Sequence, residues 1–206
     1  MQIVTGQAGL VFLASPVRLV TMDHAFPCGN LSLDFVGTLR ARRDGAPIEM
    51  LTSTDRLDSW FAESGIVDAP TTSRPADVAA ATTLREAIYA LVSARMAGSA
   101  YGKADLALVN EAARKPPVVP QLTRDGRHTE ATPAQALSTV ARDAIDILGG
   151  PEAALLKECS RPGCTQTYLD TSRGGRREWC AMETCGNKMK AAAYRARKRD
   201  ERVATS

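Results

Sequence analysis

Four cysteines, arranged as two pairs, constrain the C-terminal quarter of this 206-residue chain more than any other feature of its sequence. Each pair encloses four residues, fifteen residues separate the pairs, and the four are Cys159, Cys164, Cys180 and Cys185. Two short-range pairs close only small loops before a metal joins them, so the entropic cost is low. A tetrahedral zinc ion takes four thiolates at about 2.3 Å and then has no open position for water. The spacing therefore predicts one structural Zn²⁺ and no catalytic metal.

Two other interpretations of these thiols lead to different chemistry. A pair of local disulfides needs an oxidising compartment, but no Lys or Arg precedes the short apolar run within residues 1–21, as a secretory signal requires. A redox switch, in which oxidation releases zinc, is an elaboration of the same metal site. His24 and His128 lie far from the four cysteines in sequence, so no mixed Cys/His ligand set competes. We therefore expect reduced cysteines and a cytoplasmic protein.

The segments around the cysteines have distinct secondary-structure preferences. After the last cysteine, residues 187–202 are rich in Ala, Lys and Arg and contain no Pro or Gly, which predicts a helix capped by Asn187 or Thr184. Between the pairs, TQTYL predicts a short strand, DTSRGG a turn and RREW a return strand. This order of ligand turn, hairpin, ligand turn and helix is that of a treble-clef-like zinc finger.

Positive charge is concentrated in the same segment. Residues 159–206 contain eleven Lys/Arg and five Asp/Glu, a net charge of +6, whereas residues 1–158 carry a net charge of −3. Zinc with four thiolates adds about −2, so the segment stays basic. A basic helix beside a zinc module is typical of an element that contacts nucleic-acid phosphates, and the alternative is a solvated helix with a basic tail. The candidate nucleic-acid contacts are Arg173, Arg176, Arg177, Lys188, Lys190, Arg195, Arg197, Lys198 and Arg199.

The C-terminal segment resembles the CGNR-type zinc finger, named after a Cys-Gly-Asn-Arg signature. The resemblance is carried by CSRPGC, YLDTSR, RREWC and WCAMETCGNKMKAAAYRARKR. Proteins of this type usually have an N-terminal ABATE domain, whose opening LDF-containing helix is similar to residues 26–43. The resemblance implies a stress-induced transcription regulator, with the four cysteines as zinc ligands and residues 188–199 as the DNA-facing helix. One departure is Lys188 in place of the signature arginine, which keeps the charge but lacks the planar guanidinium of a bidentate contact.

The first 150 residues have the patterns of a helical domain. Apolar residues at helical spacing predict helices within residues 26–43, 52–64, 76–97, 103–114 and 133–148, the third being the longest. Leu57, Trp60 and Phe61 have core spacing, and Ile145 is expected to face inward. VVPQLT and HTEAT, joined through an Asp-Gly turn, predict a β-hairpin near residues 117–132.

Two polar or reactive groups in this domain have several interpretations. Asp34 points either away from its apolar stripe or into a polar pocket, and one hypothesis pairs it with a buried Arg85. Cys28, the fifth cysteine, is expected to be a small unreactive residue.

Together these patterns predict a mainly α protein with a small β-hairpin. It consists of an N-terminal extension (1–21), a helical ABATE-like domain (22–150) and a zinc finger docked on it (151–206). No apolar run is long enough to span a membrane, and no phosphate loop, dinucleotide fingerprint, nucleophile elbow or His/carboxylate cluster is present. We therefore expect no membrane partner and no enzyme.

The expected function is that of a zinc-dependent transcription regulator that binds double-stranded DNA. Its helical domain is expected to sense a small-molecule effector or to form a homodimer. The alternative is a zinc-stabilised module that binds a protein or RNA.

Overall fold

Six α-helices and three short antiparallel strand pairs make up the part of the chain that the computed structural model describes, residues 24–43 and 45–204. The helices are α1 (Leu31–Val36), α2 (Thr54–Glu63), α3 (Pro75–Met96), α4 (Lys103–Arg114), α5 (Pro133–Gly149) and α6 (Asn187–Ala204). The strand pairs are β1 (Leu39–Arg40) with β2 (Ile48–Glu49), β3 (Gln121–Thr123) with β4 (Gly126–His128), and β5 (Leu156–Glu158) with β6 (Thr167–Leu169). A 3₁₀ turn (Pro151–Leu155) leads into β5, and a π-helical turn (Met182–Gly186) leads into α6. The mainly α fold class is confirmed, whereas the predicted extension over residues 1–21 lies outside the described residues.

Local sequence signals set where the longer helices begin. The Ser53 hydroxyl accepts a hydrogen bond from the backbone of Arg56 and caps α2. Pro75 occupies the first position of α3, where its missing N–H costs nothing. At α5, the Thr132 hydroxyl and the Gln135 side chain cap each other's backbone N–H groups. Because these signals are local, the predicted starts of α3 and α5 are confirmed.

The core of the helical domain lies where α1, α2, α3 and α5 meet. Leu57, Trp60 and Phe61 are fully buried, which confirms their predicted core spacing. The Trp60 ring centroid lies 4.9 Å from that of Phe35 and 5.9 Å from that of Phe61. Leu84, Ile88, Leu91 and Val92 of α3 complete this core.

Two predictions about the helices are wrong in detail. The first helix ends at Val36 instead of continuing, because the chain turns at Gly37 and residues 39–40 pair with β2. Ile145 is exposed, and Ile147 is buried in its place. The buried stripe of α5 therefore runs through Val140, Ala144 and Ile147, which leaves Ile145 at its edge.

The hypothesis of a buried Asp34–Arg85 pair is also wrong. The Arg85 guanidinium instead forms a bidentate pair with Glu49, with Nη1–Oε1 and Nη2–Oε2 distances of 2.6 and 2.7 Å. The β1–β2 pairing brings Glu49 over α3, and Arg85 Nη1 also donates to Thr38 Oγ1 at 3.2 Å. Asp34 is buried elsewhere and accepts backbone hydrogen bonds from Cys28 at 2.8 Å and Asn30 at 3.3 Å.

The C-terminal module is docked on the helical domain, as predicted. The Gln166 amide connects the two parts, because its Nε2 donates to the Gly37 carbonyl at 3.0 Å and its Oε1 accepts from Cys28 Sγ at 3.3 Å. A methyl group on Gly37 would collide with the Gln166 side chain, so the backbone approaches closely here. Within the described residues, none of the helices is long and apolar enough to cross a membrane.

Candidate metal centre and basic surface

The four paired cysteines come together as one buried cluster. Their Sγ atoms all lie within 4.8 Å of one another. The Cys180–Cys185 and Cys185–Cys164 Sγ–Sγ distances are 3.5 and 3.7 Å. A tetrahedron with zinc–sulfur bonds of about 2.3 Å has sulfur–sulfur edges of about 3.8 Å. The donor set and its spacing therefore fit one structural zinc ion, while His24 and His128 take no part in the cluster.

The first pair lies on the turn between β5 and β6. The backbone N–H of Cys159 donates to the Gln166 carbonyl at 2.9 Å, and that of Cys164 donates to the Arg161 carbonyl at 2.9 Å. Gly163, just before the second ligand, has a φ of 73°. Side chains with a Cβ rarely adopt this angle, so glycine allows the tight turn that faces both thiols to one point.

The second pair is positioned by the π-helical turn that precedes α6. The backbone N–H groups of Cys185 and Gly186 both donate to the Ala181 carbonyl at 3.1 Å. The helical run thus begins at Met182, and Asn187 already has helical backbone angles. Because an N-cap residue is non-helical, the predicted caps at Asn187 and Thr184 are wrong.

The strand pairing around the first turn also differs from the prediction. β6 pairs with β5, which precedes the first cysteine, and residues 176–179 form no strand. Residues 156–158 supply this partner strand. Isolated hydrogen bonds hold the 176–179 segment instead of a strand ladder. Ser160 N donates to the Glu178 carbonyl, and the Tyr168 hydroxyl donates to the Arg177 carbonyl.

The cluster requires a cation to hold four ionised thiols. A hydrogen bond from Cys180 lowers the pKa of the Cys164 thiol to about 5, whereas the same contact raises the pKa of Cys180 far above its usual value. This contact thus favours a thiolate at Cys164 and a protonated thiol at Cys180. A bound zinc ion supplies the positive charge that stabilises four thiolates together. The Arg161 guanidinium, with Nε 3.1 Å from Cys185 Sγ, adds a further positive charge beside the ligands.

Asp170 organises the loop between the two cysteine pairs, a role that the sequence analysis did not identify. Its buried carboxylate accepts from Lys157 Nζ at 2.6 Å, from the Ser172 hydroxyl at 2.6 Å and from the Arg177 backbone at 3.1 Å. The hydrogen bond from Lys157 is the main cause of an Asp170 pKa well below the usual range. The sequence DTSRGG carries a signal for this role, because an aspartate followed two residues later by a hydroxyl-bearing residue is a common turn pattern.

The nine candidate contact residues fall into two groups. Eight of them have exposed side chains, two on the loop after β6 and six on α6: Arg173, Arg176, Lys188, Lys190, Arg195, Arg197, Lys198 and Arg199. The ninth, Arg177, turns inward. Its guanidinium donates to the Trp179 carbonyl at 2.8 Å, to the Cys180 carbonyl and to the Pro27 carbonyl at 3.2 Å.

Arg177 also stacks on the finger's buried tyrosine. Its guanidinium carbon lies 4.3 Å from the centre of the Tyr168 ring. Arg177 therefore ties a zinc-ligand loop to the helical domain and is not available to a nucleic acid in this structure. Its interior role could not be read from a run of three nearby arginines.

Cys28 lies beneath the same interface. It is buried, and burial raises the pKa of its thiol well above the usual value. A thiol that is both inaccessible and protonated is chemically inert, as expected for this residue.

Two protein-family models together match most of the chain. Residues 29–151 match the family model ABATE, described as "Putative stress-induced transcription regulator". Residues 156–198 match the model of the CGNR zinc finger. No curated protein matches the chain.

Proposed function

Because the chain belongs to the ABATE family and carries a CGNR zinc finger, we propose that it is a transcription regulator that binds double-stranded DNA through α6. The zinc ion is structural in this proposal. It holds the loop and helix that carry the basic side chains in one arrangement.

The observation that carries the proposal is the exposure of α6. This 18-residue helix follows directly from the second cysteine pair and packs mainly against the π-helical turn before it. Six of the nine candidate cations lie on it with exposed side chains. Most of the described side chains of α6 are exposed. A helix so exposed needs another reason to be long and basic, and phosphate contact supplies one.

The dimensions of α6 suit a DNA groove. At about 1.5 Å per residue, eighteen residues span about 27 Å, and an α-helix with its side chains is about 10–12 Å across. The major groove of B-DNA is about 12 Å wide and admits such a helix. Arg173 and Arg176, on the loop held by Asp170, would then reach phosphates beside the groove.

The remaining parts of the proposal concern the helical domain and the cell. We assign the helical domain either a sensory role towards a small-molecule effector or a role in homodimerisation. Homodimerisation would raise DNA affinity through two linked contacts. We assign no catalytic step, because four cysteine ligands leave zinc no open coordination position. The five cysteines form no disulfide, which fits a reducing compartment such as the cytoplasm.

Selection of genomic duplex fragments by the full-length, zinc-loaded protein at physiological salt tests the proposal. We expect enrichment of a shared sequence motif, and loss of that enrichment with zinc-stripped protein. Enrichment of no motif by zinc-loaded protein would contradict specific DNA binding. Binding of RNA or a protein in its place would support the alternative of a zinc-stabilised interaction module.

Charge variants test the role of α6 itself. Replacing Arg195 and Arg199 by alanine should reduce the slope of log K against log salt by about one unit per lost phosphate contact. Arg124→Ala is the matched control, since Arg124 is exposed on the β3–β4 hairpin far from α6 in sequence. Equal slopes for the double variant and the wild type would remove these two residues from the interface.

A further inference from the structure

A cleft of about 250 Å³ lies where the zinc module meets the helical domain. One wall comes from β1 and β2 of the helical domain, through Arg40, Ala41 and Ile48. The other comes from both zinc-ligand turns and the first turn of α6, and includes Arg161, Thr184 and Lys188. A ligand in this cleft would therefore contact the helical domain, the metal-ligand loops and the basic helix at once.

Apart from the zinc-ligand cysteines, the charged side chains that line the cleft are all positive. Arg40, Arg161 and Lys188 line it, and no aspartate or glutamate is among its described lining residues. Neither the Arg40 guanidinium nor the Lys188 ammonium has an ion-pair partner among the residues that the structure describes. A zinc ion with four thiolates contributes about −2, which the three cations exceed by one. The cleft therefore favours a ligand with one negative charge.

Besides these cations, three of the zinc-ligand cysteines and the Gln166 amide, the cleft is lined by apolar and hydroxyl-bearing side chains. Ala25, Pro27 and Ile48 form an apolar side, and Ile48 is 55% exposed although it is a large aliphatic residue. Thr165 and Thr184 add hydrogen-bonding groups. A bare phosphate would leave the apolar side in water, whereas a carboxylate on a small apolar body would cover Ile48 and reach the cations together.

The backbone at the cleft wall is strained. Ala41 has a φ of 52°, the only positive φ among the described non-glycine residues. Residues held in this region often mark ligand sites, where the surrounding structure maintains the strain. The cleft volume of about 250 Å³ lies below the range of typical drug-sized ligand sites, so the cleft suits a smaller ligand.

We propose that this cleft binds a small organic carboxylate with an apolar body, between the helical domain and the zinc module. Arg40 and Lys188 bind the carboxylate, and Ile48 contacts the apolar body. Since the site includes the start of α6, its occupant is placed to act as the effector of the protein. The effector role rests on the function proposed above, whereas binding at the cleft is measured without DNA, so that failure of the one is distinguishable from failure of the other.

Titration of the zinc-loaded full chain with benzoate, benzamide and inorganic phosphate, followed by amide chemical shifts, tests the proposal. We expect saturable benzoate binding with shifts centred on residues that line the cleft. Benzamide, which has the same ring without the charge, should bind at least about tenfold more weakly, because hydrogen bonds to charged groups are the stronger ones. Phosphate should also bind more weakly than benzoate, because it leaves the apolar side uncovered.

Variants separate the two halves of the recognition. Arg40→Ala should weaken benzoate binding by about tenfold or more, Arg40→Lys should recover part of the loss, and Ile48→Ser should weaken benzoate but not phosphate. Arg124→Ala serves as the control, and retained zinc together with unchanged amide shifts of residues far from the cleft shows that each variant is folded. Absence of saturable benzoate binding, or equal binding of benzoate and benzamide, would overturn the proposal. Phosphate binding as tight as benzoate binding, unchanged in Ile48→Ser, would also overturn it and identify a bare anion site such as a contact for a DNA phosphate.

Discussion

A substitution at Arg177 tests whether this residue stabilises the zinc module or contacts a nucleic acid. Its guanidinium reaches three backbone carbonyls, those of Pro27, Trp179 and Cys180, and stacks on the Tyr168 ring. The substitution Arg177→Lys keeps the positive charge and removes the planar fork. A phosphate contact would largely survive this change, whereas the structural role would not.

The expected loss of stability follows from these contacts. A hydrogen bond to a charged group contributes about 1.5–3 kcal/mol net. A lysine ammonium at this position can satisfy one of the three carbonyls, so two bonds are lost, and the half-exposed site favours the lower value for each. Arg177→Lys should therefore cost about 3 kcal/mol, and the loss should fall on the Cys180 loop and hence on zinc retention.

Zinc release along a urea gradient, read with a chromophoric chelator near neutral pH, measures this loss. The midpoint should fall clearly for Arg177→Lys, while the matched variant Arg176→Lys, whose side chain is exposed on the same loop, should release zinc at the wild-type midpoint. Identical midpoints for Arg177→Lys and the wild type would refute the structural role. If Arg177→Ala also released zinc at the wild-type midpoint but bound DNA more weakly, Arg177 would return to the set of nucleic-acid contacts.

Three further predictions concern the metal, a buried acid and a buried ion pair. Cys180→Ser should abolish stoichiometric zinc binding and unfold the C-terminal module, because structural zinc supplies on the order of 10 kcal/mol of folding free energy in isolated fingers. A normal zinc content by metal analysis would disprove the ligand assignment. Burial raises the pKa of Asp34 from 3.8 to about 6, so its contribution to stability is complete below about pH 4 and is lost as the pH rises through 6. The loss is about 3 kcal/mol, and Asp34→Asn should remove that part of the pH dependence in chemical unfolding, whereas parallel wild-type and variant profiles would contradict it. Arg85→Ala should destabilise the helical domain by about 2–3 kcal/mol, because it leaves Glu49 unpaired. Adding Glu49→Gln to the same chain should recover part of this loss in thermal unfolding, and purely additive effects of the two substitutions would contradict the prediction.

Much of the metal site could be predicted from the sequence because its determinants are local. Two cysteines five positions apart, with glycine before the second at Cys164, place their thiols on one turn whatever the rest of the chain does. The same holds for the apolar spacing of α3, α4 and α5, and for the proline starts and capping residues of α3 and α5. The four ligands, the structural zinc and the mainly helical fold class were therefore accessible from the sequence.

Pairings between distant segments were not accessible in the same way. β6 has a candidate strand partner on either side in sequence, and the choice of β5 over residues 176–179 depends on where the segments meet in space. Glu49 reaches Arg85 only because β1 and β2 pair above α3. The sequence therefore gave no reason to prefer Glu49 over Asp34 as the partner of Arg85.

The amino-acid sequence by itself determined which residues hold the metal, where α3 and α5 begin and where the positive charge accumulates. Ligand chemistry, helix periodicity and charge are properties of residue type and spacing. Only the tertiary structure decided that Arg177 faces inward while Arg176 faces solvent, and that Arg40 and Lys188 line one cleft. Such roles depend on which backbone carbonyls and side chains come within a few ångströms after folding, and residues 27 and 177 or 40 and 188 are brought together only by the docking of the two modules.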